Sequence, residues 1–215
     1  MNSKKIIYKQ MKQQGYSLGE LLICLIIITV LIGLVVTNYS GNGTNAVALF
    51  SKITEYSDNM KRMKLDTQCY PTQTGALFKK SLASTTYCGI DATQNWVGPY
   101  VNSTNLTSNN NISLSEYGDK NAELILPTQF TDQDLNGSGN SVQWVMVAKG
   151  IPSGIANDVM SKCNKGYTDT TKSTFRPGNC IFMSDDGTSA SADKYKAIKE
   201  ETKSVSIGYI FDERS

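Results

Sequence analysis

A single carboxylate, Glu20, stands directly before an apolar run that extends from Leu21 to Val36. On insertion scales, an ionised carboxylate at the centre of a membrane helix costs about 2.5 to 3.5 kcal/mol, and such residues usually have a charged partner. The apolar run itself contains no cation. A cut after Gly15 would supply one, because it would create a free amine on Tyr16. In a bundle of parallel helices this amine could face Glu20 of a staggered neighbour, so we expect Glu20 to set the register between helices rather than to catalyse a reaction.

The length of the apolar run predicts that Glu20 lies within or at the edge of the apolar layer of a membrane. The sixteen residues from Leu21 to Val36 would form only about 24 Å of helix, whereas the hydrocarbon core is ~30 Å thick. The twenty-one residues counted from Tyr16 would form about 31 Å. The preceding residues 1–15 carry four lysines and no acidic residue, which keeps them on the cytoplasmic side. We therefore predict a single crossing by residues 16–36.

This order of a basic leader, Gly15, Glu20 and an apolar helix resembles the N-terminal motif of the type IV pilin and pseudopilin superfamily. In that family a prepilin peptidase cuts after the glycine and methylates the amine of the next residue, which is Tyr16 here. The resemblance implies that Gly15 and Tyr16 are processing residues and that Glu20 is an assembly residue. It also implies an inner-membrane precursor that contacts lipid before assembly, an assembly platform and other minor pilins as partners, and self-assembly into a helical fibre. The fibre would be an extracellular pilus or, as the alternative, the periplasmic pseudopilus of a type II secretion system.

Other interpretations of the N-terminus explain fewer residues. A secretory signal peptide would be cut after the apolar run, where residues 46–48 offer an A-x-A pattern, but Glu20 would then press against its apolar core. A lipoprotein would use Cys24, yet the bulky Ile23 stands where a small residue normally precedes the lipidated cysteine. A plain single-pass membrane anchor would not explain the presence of Gly15 and Glu20 at these positions.

The cysteines outside the membrane segment predict disulfide bonds in an oxidising compartment. These are Cys69, Cys88, Cys163 and Cys180. Four cysteines allow three connectivities, and we favour Cys69 with Cys88 and Cys163 with Cys180, each closing a short loop for about 3 kcal/mol of stabilisation in the chain-entropy model. Zinc binding is disfavoured because the chain has no C-x-x-C pair and no histidine. The fifth cysteine, Cys24, is expected to be a small apolar packing residue.

A polar segment between two predicted strands matches the opening of a calcium-binding loop, D-x-[DN]-x-[DN]-G. The candidate ligands are Asp132, Asp134, Asn136 and Ser138. The twelfth position is Gln143 rather than the bidentate glutamate of such loops. A hairpin with an Asn-Gly turn would explain the same residues without a metal. Both interpretations stay open, and no other cofactor is expected.

The charged residues do not indicate an enzyme or a nucleic-acid binder. The chain has 21 Lys and Arg, 19 Asp and Glu and no histidine. Loss of the leader would leave 17 basic against 19 acidic residues, a formal charge of −2, which is not the balance of a nucleic-acid-binding domain. General-base chemistry would fall to carboxylates or lysines, and no recognisable motif pairs them. We therefore predict no catalytic site, and a membrane-tethered enzyme or binding domain is the competing class.

The order of predicted helices and strands indicates an α+β chain. It comprises a leader at 1–15, a transmembrane and assembly helix at 16–36, a continuation of that helix at 37–66 and a globular head at 67–215. The continuation is amphipathic from Ala46, after a glycine-containing interruption at residues 39–45. The helix is expected to pack on an antiparallel sheet, as in the pilin fold. The predicted strands are Glu123 to Phe130, Val142 to Ala148, Cys180 to Met183 and Val205 to Phe211.

Two further segments resemble parts of pilin heads. Residues 96–100 look like the W-x-G-P-Y segment of many pilins, which implies a structural turn with packed aromatic side chains. Residues 150–163 combine an Ile-Pro turn with a short helix that ends at Cys163, and weakly resemble type IVb pilins. In that subfamily the loop between the last two cysteines lies on the fibre surface.

Overall fold

The computed structural model describes residues 19, 22–28, 41–102, 104–126, 130–131, 142–164, 179–190 and 204–214. The chain divides into two compact units, residues 1–40 and Gly41–Ser215. In the first unit, residues 22–28 are helical. Within the described ranges, no helix has both the length and the apolar character needed to cross a membrane.

Helix α1, Gly41–Thr67, extends over 27 residues of the second unit. Its buried apolar side chains recur at intervals of three and four residues, as expected for one face of a helix. They are Ala46, Leu49, Ile53, Tyr56, Met60 and Met63. The predicted interruption at residues 39–45 is wrong for 41–45, which are helical. Packing of the apolar face outweighs the roughly 1 kcal/mol by which a glycine disfavours a helix.

The head contains a six-stranded antiparallel sheet with the order β1-β2-β4-β6-β5, and β3 pairs with β4. The α+β prediction is therefore confirmed. A second helix, α2 (Ser153–Cys163), follows β4 directly. The strands are β1 Ile112–Ser113, β2 Glu123–Ile125, β3 Phe130–Thr131, β4 Val142–Pro152, β5 Cys180–Met183 and β6 Ser204–Arg214.

The strand predicted from Glu123 to Phe130 is two separate strands. Strand β2 ends at Ile125, and β3 begins at Phe130. Pro127 interrupts this stretch of sequence, and proline has no N–H to donate to a ladder. The strands β4 and β6 are longer than predicted, because they pair with each other from Val142 opposite Arg214 to Pro152 opposite Ser204.

The sheet is buried on both faces, and successive residues of β4 point to opposite sides. Trp144, Met146 and Ala148 face a core that includes α1 and α2. Val145 and Val147 belong to a second cluster with Phe130, Ile181, Met183 and Ile210. Burial on both faces explains why the central strand is an almost continuous apolar run rather than an alternating one.

Candidate assembly surfaces

The helical residues 22–28 are apolar and exposed around the whole helix. The large apolar side chains in this range are between 50% and 58% exposed. Cys24 lies among them as an exposed free thiol. A helix that is apolar on every side is suited to lipid or to other helices rather than to water. The predicted processing and assembly residues Gly15, Tyr16 and Glu20 lie outside the described residues.

The predicted calcium ligands Asp132, Asp134, Asn136 and Ser138 also lie outside the described residues. Thr131 of β3 stands opposite Val142 of β4 in an antiparallel register. The segment between them therefore connects two neighbouring antiparallel strands. In the part of the chain that the structure describes, no group of three or more His, Cys, Asp or Glu residues is placed to hold a metal ion.

The first disulfide joins Cys69 and Cys88 directly after α1, with the two Cα atoms 6.1 Å apart. It is the favoured pairing. Next to it, the Tyr87 N–H donates to the Tyr70 carbonyl at 3.0 Å, so the bond lies beside a short antiparallel contact. The Tyr87 hydroxyl donates to the Leu126 carbonyl, and burial raises the pKa of Tyr87. The disulfide closes the first loop of the head, and the Tyr87 hydrogen bond connects this loop to Leu126, directly after β2.

Asn164 holds the base of the second disulfide loop. Cys163 at the end of α2 bonds to Cys180 at the start of β5, with the Cα atoms 5.9 Å apart. The Asn164 side chain is 1% exposed. Its Nδ2 donates to the Cys180 carbonyl at 3.0 Å, and its Oδ1 accepts the Cys180 N–H at 3.3 Å. These two hydrogen bonds resemble the pair of backbone hydrogen bonds that a residue on a neighbouring antiparallel strand would form. The base of the loop is therefore held both by the disulfide and by Asn164.

An ion pair connects the end of α1 to strand β6. The Lys64 ammonium contacts the Asp212 carboxylate, and the Tyr70 hydroxyl donates to the same Oδ2 at 2.7 Å. The Lys64 Nζ also lies 4.6 Å from the centroid of the Tyr70 ring. Tyr70 is 1% exposed and its ring packs on Trp144, with the centroids 4.5 Å apart. This cluster keeps the helix aligned with the sheet.

The aromatic packing predicted for residues 96–100 is confirmed, whereas the chain bends only from Tyr100 onward in this segment. The rings of Trp96 and Tyr100 meet edge to face at 5.8 Å, and the Trp96 indole donates to the Ala76 carbonyl at 2.8 Å. A Cβ on Gly98 would lie 2.7 Å from Tyr100 Cδ2 and 2.8 Å from Trp96 Cζ2, so only glycine fits between the rings. The Tyr100 hydroxyl donates to Asp66 Oδ2 at 2.7 Å, which attaches this segment to the end of α1.

The Tyr100 hydroxyl is expected to ionise at a much higher pH than the hydroxyl of an ordinary tyrosine. Burial, together with the hydrogen bond to Asp66, raises the pKa of Tyr100 to about 12. The unfolded chain, with a tyrosine pKa of about 10, loses this proton first, so the head should lose stability as pH rises from about 10 to about 12. Ultraviolet difference titration against Tyr100→Phe would isolate the group. Asp66→Ala should lower its pKa, and titration of Tyr100 together with the ordinary tyrosines would contradict the prediction.

One face of α1 points away from the sheet, and we call it the α1 outer face. All of its members are exposed, and they follow one another at three- and four-residue intervals along the helix. They are Val47, Ser51, Glu55, Asp58, Arg62 and Leu65. Val47 is 50% exposed, because one residue along a helix turns the side chain by about 100° from the buried Ala46.

The chain matches no protein-family model, no curated protein and no solved structure. The functional assignment therefore depends on the residues of the chain itself. Three contacts that stabilise the head were not predicted from the sequence. They are Asn164 with Cys180, Lys64 with Asp212, and Asp66 with Tyr100. The Lys64 and Asp212 partners are 148 residues apart, so no local spacing could have indicated them.

Proposed function

We propose that this chain is a structural subunit, a major or minor pilin, of a type IV pilus. The observation that carries the proposal is the order of a basic leader, Gly15, Tyr16, Glu20 and an apolar run that reaches membrane length when it is counted from Tyr16. In this role the apolar helix holds the precursor in the inner membrane with its leader in the cytoplasm. A prepilin peptidase removes residues 1–15, and the helices then gather in the fibre interior.

The head contributes surface and stability rather than catalysis. Its two disulfides suit an extracytoplasmic compartment. The helical residues 22–28, apolar on every side, suit first a lipid environment and then a helix bundle. The head would display its loops on the fibre for adhesion, aggregation, motility or DNA uptake. The peptidase and the assembly platform would carry out the chemistry of processing and assembly.

Mass spectrometry of the mature protein tests this proposal. We expect a chain that begins at Tyr16 and carries a methyl group on its new amine. The Gly15→Leu precursor should stay uncut in the membrane, because a bulky side chain replaces the glycine at the cut. Gly15→Ala is the matched control and should be cut in part, since alanine is small. A mature chain that begins at Leu49 would instead show cleavage after the A-x-A pattern and would overturn the assignment.

A further inference from the structure

The α1 outer face carries opposite charges that have no ion-pair partner within the described part of the subunit. Glu55 and Arg62 are both exposed. Between described residues, the structure shows ion pairs of Lys52 with Glu116, Lys61 with Asp58, and Lys64 with Asp212. The two carboxylates nearest to Arg62 along the helix have other partners: Asp58 pairs with Lys61, and Asp66 accepts the Tyr100 hydroxyl. Glu55 and Arg62 are therefore available to a neighbouring molecule.

The spacing of these charges suits a second copy of the same helix. Seven residues separate Glu55 from Arg62, which is about 10.5 Å along the axis and only about 20° around it. The two groups are too far apart to pair within one helix, where partners are three or four residues apart. They lie on one line of one face, however, so a parallel copy displaced by two turns brings Arg62 of one subunit opposite Glu55 of the next.

The same face carries apolar surface that a neighbour would cover. Leu65 is 80% exposed and Val47 is 50% exposed. Val97, in the segment 96–100, is 75% exposed. This segment is attached to α1 by the hydrogen bond between Tyr100 and Asp66. Covering these side chains would remove apolar surface from water.

We propose that the α1 outer face is a contact surface between copies of this chain, in which Arg62 of one subunit pairs with Glu55 of a parallel copy displaced by two helical turns. This inference rests on the proposed function, because the fibre supplies parallel copies of the helix. The contact is heterologous: the Arg62 end of this face on one copy meets the Glu55 end of the same face on the next copy. Such contacts extend into open helical assemblies when they do not close into a ring.

Charge reversal tests the pairing in cells whose wild-type chain forms fibres. Glu55→Arg and Arg62→Glu should each lower the fraction of subunits in fibres by about tenfold, because like charges would then face each other. The double variant restores opposite charges and should recover most of the fibre. The matched control is Lys79→Glu, which reverses an exposed charge on a different element and should assemble normally. Processing at Tyr16 and thermal melting of the heads would confirm that every variant is cut and folded.

The outcomes separate this inference from the proposed function. A wild-type chain that is not cut at Tyr16 and forms no fibre would overturn both. Normal fibres from both single variants, or no recovery in the double variant, would overturn only the pairing. Oxidation of fibres from a variant with Glu55→Cys and Arg62→Cys gives a second measurement. A ladder of covalent multimers is expected from displaced parallel copies, whereas dimers alone would overturn the displacement.

Discussion

The Glu20→Ala precursor is expected to enter the membrane and to be cut normally, but to join fibres poorly. Removal of the carboxylate lowers the cost of insertion, which is about 2.5 to 3.5 kcal/mol for a charged residue at the centre of a membrane helix. In the fibre, however, the amine of Tyr16 loses its partner. Removing one member of a buried ion pair typically costs about 3 to 5 kcal/mol, so incorporation should fall by on the order of a hundredfold or more.

Quantitative immunoblotting of sheared fibres and of membranes measures this distribution. Glu20→Asp is the matched control, because it keeps the charge on a shorter side chain and should retain part of the assembly. The mature mass of each variant shows that processing is intact. Normal piliation by Glu20→Ala would refute the register role of Glu20, even if the cut after Gly15 were confirmed.

Loss of either disulfide is expected to destabilise the head by a similar amount. The bonds span sequence separations of 19 and 17 residues, for which the chain-entropy model gives about 3 kcal/mol each. Serine replacement of Cys69 and Cys88, or of Cys163 and Cys180, should therefore lower the free energy of unfolding by comparable amounts in urea titrations.

The two disulfide variants should differ on the fibre. Only replacement of Cys163 and Cys180 is expected to alter bundling or adhesion, because that bond frames the polar segment 164–179. Asn164 should keep the Cys180 end of β5 in place in this variant, since its two hydrogen bonds do not involve sulfur. Peptide mapping under non-reducing conditions that linked Cys69 to Cys163 or Cys180 would contradict both the pairing and this difference.

The sequence predicted those parts of the fold that depend on local patterns. Three- and four-residue apolar spacing placed α1, and runs of β-branched and aromatic residues placed β4, β5 and β6. The short loops between paired cysteines favoured the connectivity that the structure contains. In each case the deciding residues are close together in the chain, so a local sequence pattern is enough to predict the structure.

Features that depend on distant partners were missed. Strand β1 has only two residues, Ile112 and Ser113, and it exists because Leu124 and Glu123 stand opposite them. The helical start of α1 at Gly41 likewise opposes the local propensity of glycine. From the sequence, Asn164 is an ordinary polar residue after a helix, yet its side-chain amide both donates to and accepts from the backbone of Cys180. Such roles depend on tertiary packing between residues that are distant in the chain, and local sequence patterns do not reveal these contacts.

The doubly held base of the loop between Cys163 and Cys180 makes this position a natural site for peptide display. The two Cα atoms are 5.9 Å apart, so an inserted peptide would begin and end at nearly the same point on the head. Each doubling of the length of a flexible loop costs only about 0.6 kcal/mol in closure entropy. The hydrogen bonds of Asn164 and the covalent link would isolate α2 and β5 from the inserted sequence. Segment 165–178 could therefore be exchanged for foreign epitopes of different lengths while the sheet keeps its register.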